Sequence, residues 1–137
     1  MIQRLQTLYL AAAATLLVLF VALASSWAVA VPETAAWLVP TTTGLAILTS
    51  LVALVGLALF KNRTQQSKVV LAAQWLDLLL VVAVLAGLYL GSTSSSSEPT
   101  GRYLVALAPV VAYVLLRMAR QRITKDIELV KSMDRLR

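Results

Sequence analysis

Residues 69–90 read VVLAAQWLDLLLVVAVLAGLYL. Thirteen of these 22 positions are leucine or valine, and Asp77 is the one charged residue. A helix of that length is about 33 Å long, enough to cross the roughly 30 Å hydrocarbon layer of a bilayer. An aspartate near the middle costs about 2.5–3.5 kcal/mol on the insertion scale. The surrounding leucines and valines return about 0.3–0.6 kcal/mol each when central, so together they outweigh it. The stretch is therefore predicted to be a membrane-spanning helix that turns its acid away from lipid.

The rest of the chain has the same character. Of 137 residues, 60% are hydrophobic and 13% charged, with a mean hydropathy of +0.85. A soluble domain carries about 25% charged residues, so this chain lacks the polar surface to face water all round. Cysteine and histidine are both absent. That excludes disulfides, thiolate chemistry, histidine-ligated haem, the usual zinc sites and the commonest general base. It also excludes a four-helix quinone-linked thiol oxidase. No paired carboxylates, phosphate loop or nucleophile–base pair is visible, so no catalytic residue, cofactor or metal is expected.

Four apolar segments can be placed. No charge falls between Arg4 and Glu33, and LYLAAAATLLVLFVALASSWAVA, residues 8–30, forms the core of a first span at about 5–30. Arg4 and the AVA at 28–30 give this segment the look of a signal peptide, but its apolar run exceeds the usual ~7–15 residues. VPETAAWLVP (31–40) reads as a loop with a proline near each end, and a second span follows at about 41–60. KNRTQQSK (61–68) reads as a polar basic turn before the third span, about 69–90. GSTSSSSEPTG (91–101) has the composition of a flexible loop. The fourth span, about 102–118, is the shortest. Fourteen uncharged residues lie between Arg102 and Arg117, about 21 Å of helix, and the arginines at its ends must snorkel to water.

Eleven of the twelve basic residues lie at the N-terminus, in the 61–68 turn or from Arg117 onward. The positive-inside rule assigns those three regions to the cytoplasm, which requires an even number of spans. Trp27, Trp37, Tyr89 and Tyr103 fall near the opposite ends, where an aromatic belt belongs. The Asn62-Arg63-Thr64 sequon falls on the cytoplasmic side, a chance match. The expected fold is all-α and polytopic, a four-helix transmembrane domain (1–118) followed by a basic tail (119–137).

The tail, RMARQRITKDIELVKSMDRLR from Arg117, is predicted to be an amphipathic cytoplasmic helix over about 119–136, continuous with the fourth span or bent from it. Ile123, Ile127 and Val130 recur at helical spacing, widened by Leu129, Met133 and Leu136. Arg122–Asp126 and Glu128–Lys131 are spaced as i,i+4 and i,i+3 pairs. Arg117, Arg120, Arg122, Lys125, Lys131 and Arg135 are candidates to contact lipid headgroups, at about 1 kcal/mol each near an anionic surface, or to dock a partner subunit. The tail has no aromatic residue for stacking on bases, so nucleic acid is not an expected partner.

Three pieces occur together: the opening MIQRLQTLYL, the turn FKNRTQQ and the ending ITKDIELVKSMDRLR. In this combination the chain resembles a family of small four-helix membrane proteins of Bacteroidota, catalogued as domain of unknown function 4293. The resemblance covers nearly the whole chain and implies a bacterial cytoplasmic-membrane location and the same topology. It implies no activity.

Counted inward from the basic ends, Asp77 shares its depth with Thr15, Thr49, Ser50 and Pro109, with Gln74 one turn nearer the cytoplasm. Asp77 lies about 13 Å deeper than Lys68. Pro109 lacks an N–H and leaves the carbonyl of Val105 without its helical donor. Thr15, Thr49 or Ser50 are expected to hydrogen-bond the carboxyl, and a protonated acid can donate to a carbonyl. Ala46, Thr49, Ser50, Ala53 and Gly56 form one small-residue face of the second span, turned inward. This cluster either glues the bundle or serves as a proton or cation site. The expected function is a non-catalytic accessory or structural subunit of a larger cytoplasmic-membrane complex, with other membrane protein subunits in a hetero-complex or as a homo-oligomer. The alternative is a small ion- or proton-coupled transporter using Asp77.

Overall fold

The computed structural model describes residues 2–92 and 101–135, apart from the side chains of residues 2–4, 30 and 102. Its elements are α1 (Ile2–Ala22), α2 (Ala24–Ala30), a single 3-10 turn (Glu33–Ala35), α3 (Leu38–Ala58), α4 (Arg63–Ser92) and α5 (Gly101–Asp134). Four of these helices, all but α2, are long and apolar enough to cross a membrane. They pack in a ring: α1 lies against α3 and α5, and α4 lies against the same two. The chain runs up, down, up and down, so the N-terminus, the 59–62 turn and the end of α5 share one end, the basic end. The loop expected at 91–101 lies mostly outside the described residues, and Gly91 and Ser92 belong to α4.

The predicted first span is two helices. Leu23 leaves helical geometry (φ −95°, ψ 14°), and the N–H groups of Ser26 and Trp27 both turn back to its carbonyl at 3.0 and 3.2 Å. Neither proline nor glycine causes the break. The new direction of α2 drives Trp27 into the bundle, where it is fully buried. Trp27 therefore does not belong to an aromatic belt, whereas Trp37, Tyr89 and Tyr103 are exposed.

Boundaries differ elsewhere for local reasons. α3 starts at Leu38, which puts Pro40 at its third position. The first four N–H groups of a helix have no partner within it, so the missing N–H costs nothing there. α4 starts at Arg63 because Asn62 caps it: Asn62 Oδ1 accepts the N–H of Gln65 at 3.3 Å. Most of the predicted polar turn is thus helical.

α5 is continuous over 34 residues, about 51 Å at 1.5 Å per residue. It runs through Pro109 and across the 118/119 boundary unbroken. The expected tail helix is the end of this rod. Ile123 is fully buried and Ile127 half-buried, so the bundle consumes the first part of the apolar stripe. Leu129, Val130 and Met133 remain exposed, and Leu136 lies outside the described residues. The expected tail ion pairs do not form. Asp126 instead meets Arg63 at 2.8 Å and accepts from Gln6 Nε2 at 3.5 Å. That arrangement pins α5 to the starts of α1 and α4.

Candidate functional site

α4 buries Gln66, Val70, Ala73, Gln74, Asp77, Leu80, Val84, Gly87 and Gly91. Steps of mostly three and four residues place them on one stripe facing the ring's interior. α3 answers with Thr42, Ala46, Thr49, Ser50, Ala53 and Gly56, all buried. The inward small-residue face expected from the sequence is therefore present. Small side chains let α3 and α4 approach closely: a Cβ added at Gly56 would lie 3.2 Å from Val70. Gly56 O, one of the last four carbonyls of α3, accepts Gln66 Nε2 at 3.0 Å. Those carbonyls lack a helical partner, so Gln66 supplies from α4 the donor that α3 cannot.

The Gly56–Val70 contact sets the register. Seven residues further along each antiparallel helix, about 10.5 Å, Thr49 comes level with Asp77. Asp77 is fully buried, and neither carboxyl oxygen has a hydrogen-bond partner. The expected hydroxyl donors fail for a local reason. Thr49 gives its proton to Leu45 O at 2.7 Å, and Ser50 gives its proton to Ile47 O at 2.8 Å. Serines and threonines inside helices commonly bond back to the carbonyl three or four residues earlier in this way. The hydroxyls therefore offer Asp77 acceptors rather than donors. A protonated carboxyl can donate into such a set; a carboxylate needs a cation or a donor from elsewhere.

Thr15 is not part of this cluster. It lies on the exposed face of α1, and its hydroxyl donates to Ala11 O at 2.8 Å. Counting from Arg4 fixes the depth of a residue on its helix but not its azimuth; the inward positions of α1 at that level are Ala13, Ala14 and Leu17. Pro109 is buried on α5. Gln74 is buried one turn from Asp77, and its Oε1 is unpartnered. It also lines an open cleft of about 530 Å³ with Arg117, Arg120 and Lys125 of α5. Arg122, Lys131 and Arg135 are exposed and lie outside that cleft.

A second polar link was not legible in the sequence. Trp27 Nε1 donates to Thr42 Oγ1 at 3.0 Å, and Thr42 passes its own proton to Leu38 O at 2.8 Å. The indole packs on Phe20, with ring centroids 6.2 Å apart, and against the bare backbone of Gly87. Residue types that look interfacial one by one, a tryptophan and a threonine, here join α2, α3 and α4.

The sequence profile of the family described as Domain of unknown function (DUF4293) matches residues 2–136. The chain belongs to that family. No curated protein and no solved structure matches it. Membership thus covers the whole bundle, including the α5 rod and the Gln6–Asp126–Arg63 contact, and assigns no chemistry to either. Among the described residues of this DUF4293 chain, no three metal-ligating side chains converge. Among the described residues, the buried side-chain polar atoms that lack partners belong to Gln74 and Asp77 of α4 and Arg120 of α5.

Proposed function

We propose that this protein is an integral protein of the bacterial cytoplasmic membrane, with four spans and both termini in the cytoplasm, and that it serves as a non-catalytic accessory subunit of a membrane complex. One observation carries the membrane reading. Only 33% of each candidate span is buried within the bundle, so leucines and valines such as Leu8, Val18, Leu51, Val82 and Leu104 face outward on all four helices. Water around such a belt is strongly unfavourable, and acyl chains match it. The distribution of lysine and arginine supports the orientation.

The subunit reading is supported by the end of α5. Beyond Ile127 the rod leaves the bundle, exposing Leu129, Val130 and Met133 beside Glu128, Lys131 and Asp134. A helix of so few residues is marginal alone and persists here because α5 continues into it. Such a free end suits a partner's cytoplasmic face. The small-residue faces, by contrast, are used up inside the bundle. Crosslinking in native membranes, mild-detergent extraction and purification should recover a reproducible set of partners that is lost when 128–137 is deleted. A monodisperse lone chain, unchanged by that deletion, would overturn the reading.

Asp77 favours one other reading, a proton or cation path, because its buried carboxyl has no partner in the bundle. Asp77→Asn abolishes coupled flux in proteoliposomes on this reading; unchanged flux removes it.

A further inference from the structure

The geometry points to a binding site for one anionic phospholipid between α4 and α5, with its phosphodiester held by Arg117 and Arg120 and its glycerol ester region beside Gln74. The inference rests on the membrane reading above. Arg117 and Arg120 are three residues apart, so they lie on one face of α5, and both line the 530 Å³ cleft with Gln74. Among the described residues neither arginine has a carboxylate within ion-pair distance. Arg120 Nε is sealed from the surface and unpartnered. Gln74 is 6% exposed, and its Oε1 is likewise unpartnered. Two guanidiniums without a carboxylate partner, bordering one open cleft, match a phosphodiester.

The cleft continues downward as the acyl chains require. Gln74, Arg117 and Arg120 also line a second hollow of about 180 Å³, floored by Leu71, Leu78 and Tyr113. Leu78 and Tyr113 lie further from the basic end than the arginines and the amide. A lipid seated here thus has its phosphate at the cationic rim and its chain along apolar side chains deeper in the bilayer. Glu128 also borders the larger cleft, but it lies eight residues beyond Arg120, about 12 Å along the axis, outside the phosphate position. Lys125, on the same face, adds to the positive field at the entrance.

The test uses the full chain, extracted in mild detergent, delipidated and titrated with phosphatidylglycerol or phosphatidylcholine in mixed micelles, with bound lipid read by native mass spectrometry. One phosphatidylglycerol per chain should be retained, about tenfold or more tighter than phosphatidylcholine. R117Q/R120Q should lose about tenfold or more of that affinity, given roughly a factor of five per basic residue at an anionic surface. R122Q/K131Q removes the same charge outside the cleft and should change it less than about twofold, because exposed charges away from a bound phosphate are screened by salt. Arg117 is exposed, so R117Q alone tests the site without disturbing packing and should weaken binding severalfold. Equal losses in the two double variants, equal retention of the two lipids, or full displacement by millimolar inorganic phosphate would each overturn the site. Membrane fractionation of the same samples separates the two claims. A chain that sediments with membranes yet ignores headgroup charge refutes the lipid site alone, and a chain found in the aqueous fraction refutes the membrane reading beneath it.

Discussion

Replacing Gly87 by alanine puts a methyl carbon 2.8 Å from Cζ2 and 3.0 Å from Cη2 of Trp27. Ordinary van der Waals contact starts near 3.4 Å, so the ring or the helix must retreat by about 0.6 Å. The ring is poorly able to do so. It is fully buried, tied to Thr42 at 3.0 Å and packed against Phe20. Overpacking of this kind costs about 1–3 kcal/mol. Alanine recovers up to about 1 kcal/mol of helix propensity, leaving a net destabilisation of about 0–2 kcal/mol. Gly44 supplies the control, because a Cβ there meets nothing within 4 Å. Gly44→Ala should be neutral, or stabilising by up to about 1 kcal/mol. Equilibrium unfolding in mixed micelles at rising SDS fraction, followed by far-UV circular dichroism, measures both. Trp27→Leu is destabilising alone but should relieve the clash, so the double variant is more stable than the sum of the singles by about 1 kcal/mol or more. If Gly87→Ala is as stable as Gly44→Ala, or if it adds simply to Trp27→Leu, the wedge between α2 and α4 does not exist as described.

Three further outcomes follow from the same contacts. Gln66→Leu removes the donor to Gly56 O and should cost about 1–2 kcal/mol in the same unfolding assay; a neutral effect means that this carbonyl has another donor. Asp126→Asn breaks the contact with Arg63 and should cost less than about 1 kcal/mol globally, the usual worth of a partly exposed pair. It should nevertheless speed amide exchange across 119–127, and protection unchanged there shows that the pair does not hold the rod. Asp77→Asn exchanges near-isosteric groups at a site without hydrogen-bond partners, so stability should stay within about 1 kcal/mol of the parent; a loss of about 3 kcal/mol or more would reveal a partner for the carboxylate.

The features set by composition and periodicity were readable: four apolar helices, their count, the shared basic end and the inward small-residue face of α3. Each depends on many residues at once, so no single misreading upsets it. Features set by one residue's direction were not. The depth of Thr15 was countable, but its azimuth depended on a helix phase that a nearly all-apolar segment does not display. The break at Leu23 has no proline or glycine to announce it, and it accompanies the packing of Trp27 against Gly87. The tail pairs followed helical spacing correctly, yet Asp126 reaches a partner 63 positions away. The capping role of Asn62 stands in the sequence, since an asparagine followed three residues later by glutamine is a helix-start pattern; the polar, basic composition of KNRTQQSK masks it.

The two ends of the bundle are held by different physics, and the difference bears on Asp77. At the end away from the basic turn, the indole of Trp27 wedges among α1, α3 and α4 through close packing and one buried hydrogen bond. At the basic end, the buried Gln66 hydrogen bond and the partly exposed Gln6–Asp126–Arg63 contact join helices through polar groups. Between them lie small residues, Ala13, Ala14, Ala46, Ala53 and Ala73, which pack but do not lock. Asp77 sits in that middle layer, beside hydroxyls already committed to their own helices. A residue kept only as interhelical glue would be expected to use its two oxygens, since an unpartnered buried polar group costs about 1–3 kcal/mol. The bundle bears that cost while Trp27 and Gln66, at its two ends, show that the same helices can place polar side chains with their partners. Two explanations of the carboxyl therefore stand, a protonated acid that donates to an oxygen inside the bundle and the demand from outside the chain proposed above, a proton, a cation or a neighbouring subunit. Asp77→Asn separates these, because loss of flux or of complex formation without loss of stability locates the demand outside the fold.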